Sequence, residues 1–185
     1  MCSKTKILTA AVAACFSCGT LFAADIGFVA KLGLGSTNLD TEVSAAGFSS
    51  SNSDSGGTFE IYGGYRMPNA QFGLSYTNIN CEDCDANYIM ASGAYVYEGF
   101  DIAKPFIGLG LGMFSYEESG FFDESGLFGT VNLGVNAEFE HFFIGAEFRQ
   151  RIFGEAEGGM RYSGYNFNAK VQPNNTYLLN VGYKF

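Results

Sequence analysis

The chain has 185 residues, of which 19 are acidic and 10 basic, and its formal net charge of −9 does not suit binding to nucleic-acid phosphates. Its 25 glycines, 19 Phe and 11 Tyr, with 3 Pro and no Trp, favour β-strands over helices. The composition therefore excludes a helical protein and a nucleic-acid-binding protein.

The first residues have the pattern of an export signal. Lys4 and Lys6 precede an apolar stretch over residues 7–16, and small residues allow cleavage after Ala23 or Ala24. A signal peptide of this kind predicts that the rest of the chain works outside the cytoplasm.

Two other interpretations of this segment remain open. One is a membrane-spanning helix over 7–24, which the lack of a positive cluster after it disfavours, and the other is lipoprotein processing at Cys15, which rests on a loose match. The predicted organisation is a signal peptide over 1–24 and a single domain over 25–185, which keeps 8 basic and 19 acidic residues and a net charge of −11.

The exported part of the chain keeps two cysteines, Cys81 and Cys84, within "NCEDCD". An even pair in an exported chain predicts a disulfide. A redox motif would need a helix N-terminus to lower the thiol pKa, and a zinc site would need further Cys or His ligands. A metal half-site remains an alternative, with the nearby carboxylates Glu82, Asp83 and Asp85.

Apolar and polar residues alternate with period two almost everywhere after residue 25. In 105–114, for example, Ile107, Leu109 and Leu111 alternate with glycines. The register of 88–97 stays open, because both of its faces are apolar. The alternation predicts eight strands, at 26–35, 58–66, 72–77, 88–97, 105–114, 128–139, 142–151 and 176–185.

The connections between these strands alternate in length, which predicts an up-and-down hairpin order. Short connections follow strands 2, 4 and 6, at 67–70, at 98–104 and near His141. Long polar loops are expected after strands 1, 3, 5 and 7, at 36–57, 78–87, 115–127 and 152–175. The first three of these loops carry acids and no Lys or Arg, and 160–170 is expected to extend the last two strands above the membrane.

The polar face of the strands carries charges of both signs opposite an uncharged apolar face. A soluble barrel has its apolar face inside, whereas a barrel in lipid needs the apolar face outside and no open sheet edge. We therefore expect the charges to face a lumen narrow enough for them to pair across it rather than line a pore. The predicted lumen charges are Lys31, Glu60, Arg66, Glu147, Arg149 and Arg151.

The chain ends in an alternating strand whose apolar face stops at an aromatic residue. Its residues are Tyr177, Leu179, Val181, Tyr183 and Phe185. This stretch resembles the C-terminal assembly signal of bacterial outer-membrane barrels. Together with "KPFIGLGLG" at 104–112, residues 25–185 resemble the superfamily of small eight-stranded outer-membrane barrels that includes the OmpA transmembrane domain, OmpX and the opacity proteins.

This resemblance implies an all-β, eight-stranded, antiparallel up-and-down transmembrane β-barrel in the cell outer membrane, with Phe185 ending a strand that pairs with strand 1. Its implied partners are outer-membrane lipid, lipopolysaccharide and the barrel assembly machinery, which would contact the C-terminal strand. The implied role is envelope integrity, adhesion or host interaction through an extracellular ligand at the long loops.

Other functions give different expectations. A narrow or gated pore and a soluble periplasmic barrel of lipocalin type are the alternatives. An enzyme needs a nucleophile and a base within reach of each other, and the single histidine, His141, is expected in a periplasmic turn. No catalytic residue, cofactor or metal is therefore expected.

Overall fold

The computed structural model describes residues 26–45, 48–81, 84–118, 122–154, 156–162 and 165–185. The signal peptide expected over 1–24 lies outside the described residues. No helix in these ranges has the length and apolar character needed to span a bilayer. The strands are β1 Gly27–Ala45, β2 Phe48–Met67, β3 Ala70–Asn80, β4 Cys84–Val96, β5 Ala103–Glu118, β6 Phe122–Phe139, β7 Phe142–Phe153, β8 Ala156–Tyr162 and β9 Tyr165–Lys184.

These strands form one closed antiparallel sheet. Each strand from β1 to β6 pairs with the next, and β9 pairs with both β7 and β1. β7 pairs with the C-terminal half of β9 and β8 with its N-terminal half, so nine strands occupy eight positions around the barrel. The predicted eight-stranded up-and-down barrel is confirmed.

A glycine permits the break between β7 and β8. Gly154 has a φ of 106°, and a Cβ there would lie 2.1 Å from the carbonyl oxygen of Leu127. The β6–β7 register shifts between Gly129 and Thr130 at the same level. A residue with a side chain would be strained at this position and would clash there, so the bend requires glycine.

The short connections lie at one end of the barrel, as predicted. Residues 68–69 connect β2 to β3, 97–102 connect β4 to β5, and 140–141 connect β6 to β7. Glu140 takes a positive φ of 52° in the last of these turns. Short turns mark the periplasmic end of outer-membrane barrels, and Ile26 and Phe185 lie at this end too.

The prediction of long polar loops at the other end is wrong. β1 and β2 stay paired from Gly27↔Arg66 to Ala45↔Phe48, and β5 and β6 stay paired to Glu118↔Phe122. Strands cover most of 36–57, 78–87, 115–127 and 152–175. The predicted extension of the last two strands over 160–170 is confirmed. The polar composition of these segments was interpreted as loop, whereas here most of their residues lie in paired strands.

The structure settles the register of β4, which the sequence left open. Tyr88, Met90 and Val96 are buried inside the barrel, whereas Ile89 and Tyr95 are exposed on its outer wall. Tyr88 and Met90 face inward and pack in an interior apolar cluster. The sequence could not indicate this, because both faces of this strand are apolar.

Candidate functional site: the lumen and the extracellular sheet

The outer wall of the barrel is apolar and exposed. Leu179, Leu127 and Leu34 are 70%, 67% and 65% accessible, which is far more than water-soluble proteins leave uncovered over a continuous surface. Aromatic side chains concentrate near the periplasmic end of this wall, at Phe28, Tyr65, Phe72, Tyr95, Tyr97, Phe100, Phe139 and Phe142. The wall is therefore a lipid-facing belt with an aromatic girdle.

The outward residues change from apolar to polar at one level on every strand. We call these first polar or small positions the boundary ring: Ser36, Gly57, Asn78, Asn87, Ser115, Ser125, Gln150 and Asn175. Asn78, Asn87, Ser115 and Ser125 are direct cross-strand partners of one another in turn. The exposed Ile152 and Phe153 lie beyond Gln150 and are exceptions. The ring marks the extracellular surface of the membrane.

Four charges pair inside the membrane-spanning half. Lys31 Nζ lies 2.7 Å from Glu147 Oε2 and 3.6 Å from Glu60 Oε1. The Arg149 guanidinium binds both oxygens of Glu60, with Nη2 at 2.8 Å from Oε1, and its Nε lies 2.6 Å from Glu147 Oε1. We call Lys31, Glu60, Glu147 and Arg149 the charge cluster, and each of its side chains is almost fully buried.

Arg66, also predicted as a lumen charge, does not join the charge cluster. Six residues along β2 separate Arg66 from Glu60, which is about 20 Å at strand spacing. Arg66 pairs instead with Glu98, which the sequence placed in a turn without a partner, and lies 3.5 Å from Glu138.

This second set of ion pairs closes the periplasmic mouth. Lys104 Nζ lies 2.8 Å from Glu98, and Lys184 Nζ lies 2.7 Å from Glu138. Partial burial acts to raise the pKa of Glu98, but hydrogen bonds from Lys104 and Arg66 outweigh it and hold that pKa below its ordinary value of 4.5. The mouth network, Arg66, Glu98, Lys104, Glu138 and Lys184, connects four strands and a turn.

The interior above the charge cluster is apolar. Arg151, predicted as a lumen charge, lies over the rings of Phe114 and Phe128, with its guanidinium carbon 4.6 and 5.2 Å from their centroids. We call the surrounding buried cluster the upper core, which is formed by Leu39, Ile79, Ala86, Tyr88, Met90, Phe114, Tyr116 and Phe128. The sequence interpretation missed it because half of these residues fell in the expected loops.

Hydroxyl groups separate the two interiors. Thr37 shares hydrogen bonds with Thr58 at 2.7 Å and Thr176 at 3.0 Å, and Thr77 donates to Glu60 Oε2 at 3.1 Å. These buried hydroxyls satisfy each other or the carboxylate below, so the charge cluster is separated from the upper core by paired hydroxyls.

The lumen is packed. A cavity of about 20 Å³ remains beside Lys31, Tyr62 and Asn132, and this is room for about one water molecule. Glycines allow this packing: a Cβ on Gly182 would lie 2.1 Å from the ring of Phe143. A concavity of about 980 Å³ lies instead on the lipid-facing wall, around Ala30, Gly63 and Leu74.

The C-terminal strand closes the barrel as expected. Its outward face carries Tyr177, Leu179 and Val181, and the Phe185 N–H donates to the Phe28 carbonyl at 2.9 Å. The Tyr183 ring packs edge-on against Phe185 at 4.8 Å between centroids. The geometry places the predicted assembly signal on the outer surface, and its recognition by the assembly machinery stays a prediction.

The remaining candidates lie at the two ends of the barrel. Cys81 is disulfide-bonded and packs against the upper core, and its pairing with Cys84 stays a prediction. Glu82 and Asp83 lie outside the described residues, and among those described no group of three His, Cys, Asp or Glu could hold a metal ion. His141 lies in the β6–β7 turn, where its ring stacks on Tyr183 at 5.7 Å.

The closed sheet, the apolar wall and the paired interior charges define the class of protein: a small eight-stranded β-barrel of the outer membrane. No protein-family model matches the sequence, and no curated protein matches it.

Several solved structures are similar to this chain. Neisserial surface protein A is 20% identical over 86% of this chain and 97% of its own, with a TM-score of 0.54. The N-terminal β-barrel domain of Pseudomonas aeruginosa OprF is 15% identical over 82% of this chain and 97% of its own, with a TM-score of 0.49. The attachment invasion locus protein Ail of Yersinia pestis is 15% identical over 86% of this chain and 99% of its own, with a TM-score of 0.43.

Proposed function

We propose that this protein is a non-enzymatic surface protein whose membrane barrel holds a rigid extracellular β-sheet, and that this sheet attaches the cell to an external ligand. The observation that carries the proposal is the continuation of β1, β2 and β9 beyond the boundary ring as paired strands. A barrel needs only about 9 to 11 residues per strand to cross a membrane. β1 has 19 residues and β2 has 20, so half of each strand serves another purpose.

The upper core supports this role, because it gives the extension its own buried interior. Leu39 and Ile79, which lie beyond the boundary ring, are almost fully buried within it. Loops without such a core would be mobile and would lose more entropy on binding a ligand. A sheet held by a core presents its surface in one arrangement, as a binding platform requires.

The lumen geometry argues against steady transport. The charge cluster and the mouth network place ion pairs at two levels, and the residual cavity holds about one water molecule. Single-channel recording in planar bilayers tests the pore alternative, and we expect no steady open current.

In this proposal, lipopolysaccharide contacts the apolar outer wall of the barrel. The described Lys and Arg side chains lie inside the barrel or at its periplasmic end, at Lys31, Arg66, Lys104, Arg149, Arg151 and Lys184. On the described outer wall, lipid A would therefore be held by its acyl chains rather than by phosphate–cation pairs.

Attachment of cells tests the proposed function. A non-adherent laboratory strain would express the whole protein or a variant in which residues 40–53 are replaced by an Asn-Gly turn, which joins antiparallel strands at their new ends. Outer-membrane fractionation and heat-dependent gel mobility establish that both barrels are inserted and folded. We expect attachment to epithelial monolayers to fall about tenfold with the short variant. Equal attachment by the two strains, or none by the whole protein, would contradict the proposal.

A further inference from the structure

The outer wall of the barrel recedes on one side, within the lipid-facing belt. A concavity of about 980 Å³ lies there and spans β1 to β5. Cross-strand pairing brings small outward residues together in it, since Ala30 pairs with Gly63, and Ala91 and Gly93 follow two strands further on. We call this concavity the wall groove, and its floor is formed by Ala30, Gly63, Ala91 and Gly93.

Larger outward side chains enclose the wall groove on two sides. On the periplasmic side, Phe28, Tyr65 and Phe72 of the aromatic girdle pair with one another in turn. On the extracellular side lies a second cross-strand row, formed by Leu32, Ile61, Tyr76, Ile89 and Met113. The concavity is therefore a groove bounded along its length.

The fold does not require the glycine on the floor of the wall groove at position 63. A Cβ on Gly63 would have no atom within 4 Å, and the backbone there does not take a positive φ. Gly73 on the next strand differs, because a Cβ there would lie 2.5 Å from the Tyr62 ring. Glycine weakens a strand and often marks a place where a ligand or another backbone approaches closely. The space that Gly63 leaves lies outside the barrel wall.

The wall groove runs from the periplasmic girdle toward the middle of the membrane. On β1, Ala30 is two residues from Phe28 of the girdle and six from Ser36 of the boundary ring. On β5, Leu111 lines the far end of the groove and is four residues from Ser115 of the ring. Because a strand crosses the hydrocarbon in about 9 to 11 residues, Leu111 lies near the midplane. The groove thus follows the path of an acyl chain in the periplasmic leaflet.

The size and lining of the wall groove fit one acyl chain. The two enclosing rows are four residues apart along a strand, which is about 13 Å between Cα positions. The first and last strands are four strand spacings apart, which is about 19 Å. One leaflet of the hydrocarbon core is about 15 Å deep, so a chain inclined along the groove spans the leaflet within it. Among the described residues, no charged side chain lines the groove.

A lipid chain suits the wall groove better than a second copy of the protein. The groove is continuous with the lipid-facing belt, so acyl chains reach it directly. Two copies in one membrane share an orientation, and a twofold axis through the groove would set groove against groove. Such a contact leaves unfilled space between the copies, whereas a flexible chain fills the space in each.

We propose that the wall groove binds one acyl chain of a phospholipid of the periplasmic leaflet, with the head group beside Phe28 and Tyr65 and the chain end beside Leu111. The chain contacts protein beneath it and on both sides, so it gains more dispersion contacts than a chain on a convex wall. Association within a membrane depends on such packing, because lipid tails are already apolar. This site is additional to the proposed function and does not depend on it.

Native mass spectrometry of the full chain tests the site. The protein is extracted in mild detergent from outer membranes, which supply both phospholipid and lipopolysaccharide. Ala91→Leu fills the groove, and the matched control Ala146→Leu adds the same side chain to the exposed wall on β7. Heat-dependent gel mobility establishes that each variant is folded. We expect the unchanged protein and the control to retain one phospholipid, and Ala91→Leu to retain about tenfold less.

Several results of this measurement would overturn the proposal. One is an unchanged protein without phospholipid, and another is equal retention by Ala91→Leu and Ala146→Leu. Retention of lipid A in place of a phospholipid would put the chain in the other leaflet. A dimer that Ala91→Leu abolishes would make the groove an interface between two copies.

A second variant tests the path of the chain. Gly63→Leu fills the groove nearer the girdle, where its Cβ meets no atom of the wall. A chain that runs from the girdle to the midplane passes both positions, so Gly63→Leu should lower retention as strongly as Ala91→Leu. Unchanged retention by folded Gly63→Leu would contradict this path. Both filled variants should attach to cells as the unchanged protein does, so the attachment proposal and the lipid site fail separately.

Discussion

The membrane half and the extracellular half of this barrel use the same strands with opposite polarity. Below the boundary ring, Leu111 faces lipid and the lumen holds the charge cluster. At the ring, Ser115 on the same strand is exposed, and above it Tyr116 is buried in the upper core. The polarity of the outward side chains therefore follows the medium outside the barrel, which changes from lipid to water partway along each strand.

Different interactions therefore stabilise the two halves. Ion pairs and hydroxyls fill the lower lumen, where lipid outside covers the apolar residues that a soluble protein would bury. Apolar packing fills the upper interior, as in a water-soluble sheet protein. The loss in free energy of unfolding that a substitution causes should therefore depend on which half of the barrel contains it.

The largest effect is expected in the charge cluster. Glu60→Ala leaves Arg149 buried with one carboxylate in place of two, and removing one partner of a buried pair costs about 3 to 5 kcal/mol. Urea unfolding of the protein in lipid vesicles measures the change in the free energy of unfolding. The isosteric Glu60→Gln, which keeps an acceptor, should cost less than Glu60→Ala, and a cost for Glu60→Ala below that of Glu60→Gln would contradict the account.

A core substitution above the membrane should cost nearly as much. Ile79→Ala leaves a cavity in the upper core and should lower the free energy of unfolding by about 2 to 5 kcal/mol. The matched control is Ile89→Ala on the lipid-facing wall, where lipid chains fill the vacated space and no cavity cost arises. Equal losses in urea unfolding would show that no packed core exists above the ring.

Arginine substitutions on β5 locate the change in solvent. Leu111→Arg introduces a charge on the lipid face and should cost about 2 to 4 kcal/mol near the midplane of the membrane. Ser115→Arg, four residues along the same outward face, should change stability by less than about 0.5 kcal/mol. A similar cost at both positions in folding experiments with vesicles would place the boundary elsewhere.

The smallest effect is expected at the periplasmic mouth and depends on pH. The pKa of Glu98 is lowered in the folded protein, so the ionised carboxylate stabilises the fold above its ordinary value of 4.5, and this stability is lost as pH falls through the folded pKa. Glu98→Gln should therefore be less stable than the unchanged protein at pH 7, and the difference should close below pH 4.5. A difference that is constant with pH would contradict this assignment.

The membrane half could be predicted from the sequence because one pattern determines both its strands and its faces. Apolar residues in lipid and charges in the lumen give the same alternation in every strand, and Lys31, Glu60, Glu147 and Arg149 follow it. Which charges pair with one another could not be predicted as well, because the partner of Arg66 depends on the turn that brings Glu98 close to it.

The extracellular half could not be predicted in the same way. Above the ring the inward face becomes apolar and the outward face becomes Ser and Asn, so a search for an apolar outward face ends there. Leu39, Ile79 and Tyr116 alternate correctly for strands, but with the opposite polarity. Testing for a reversal of polarity within each strand would have found them.

A depth profile along β5 tests the central claim most directly. Nitroxide labels on single cysteines at Leu109, Leu111, Met113 and Ser115 in lipid vesicles report relaxation by oxygen and by a water-soluble nickel complex. We expect oxygen to dominate at the first three positions, which are outward and apolar, and the nickel complex to dominate at Ser115. Oxygen dominating at Ser115, or the nickel complex at Leu109 and Leu111, would contradict a barrel whose strands leave the membrane at the boundary ring.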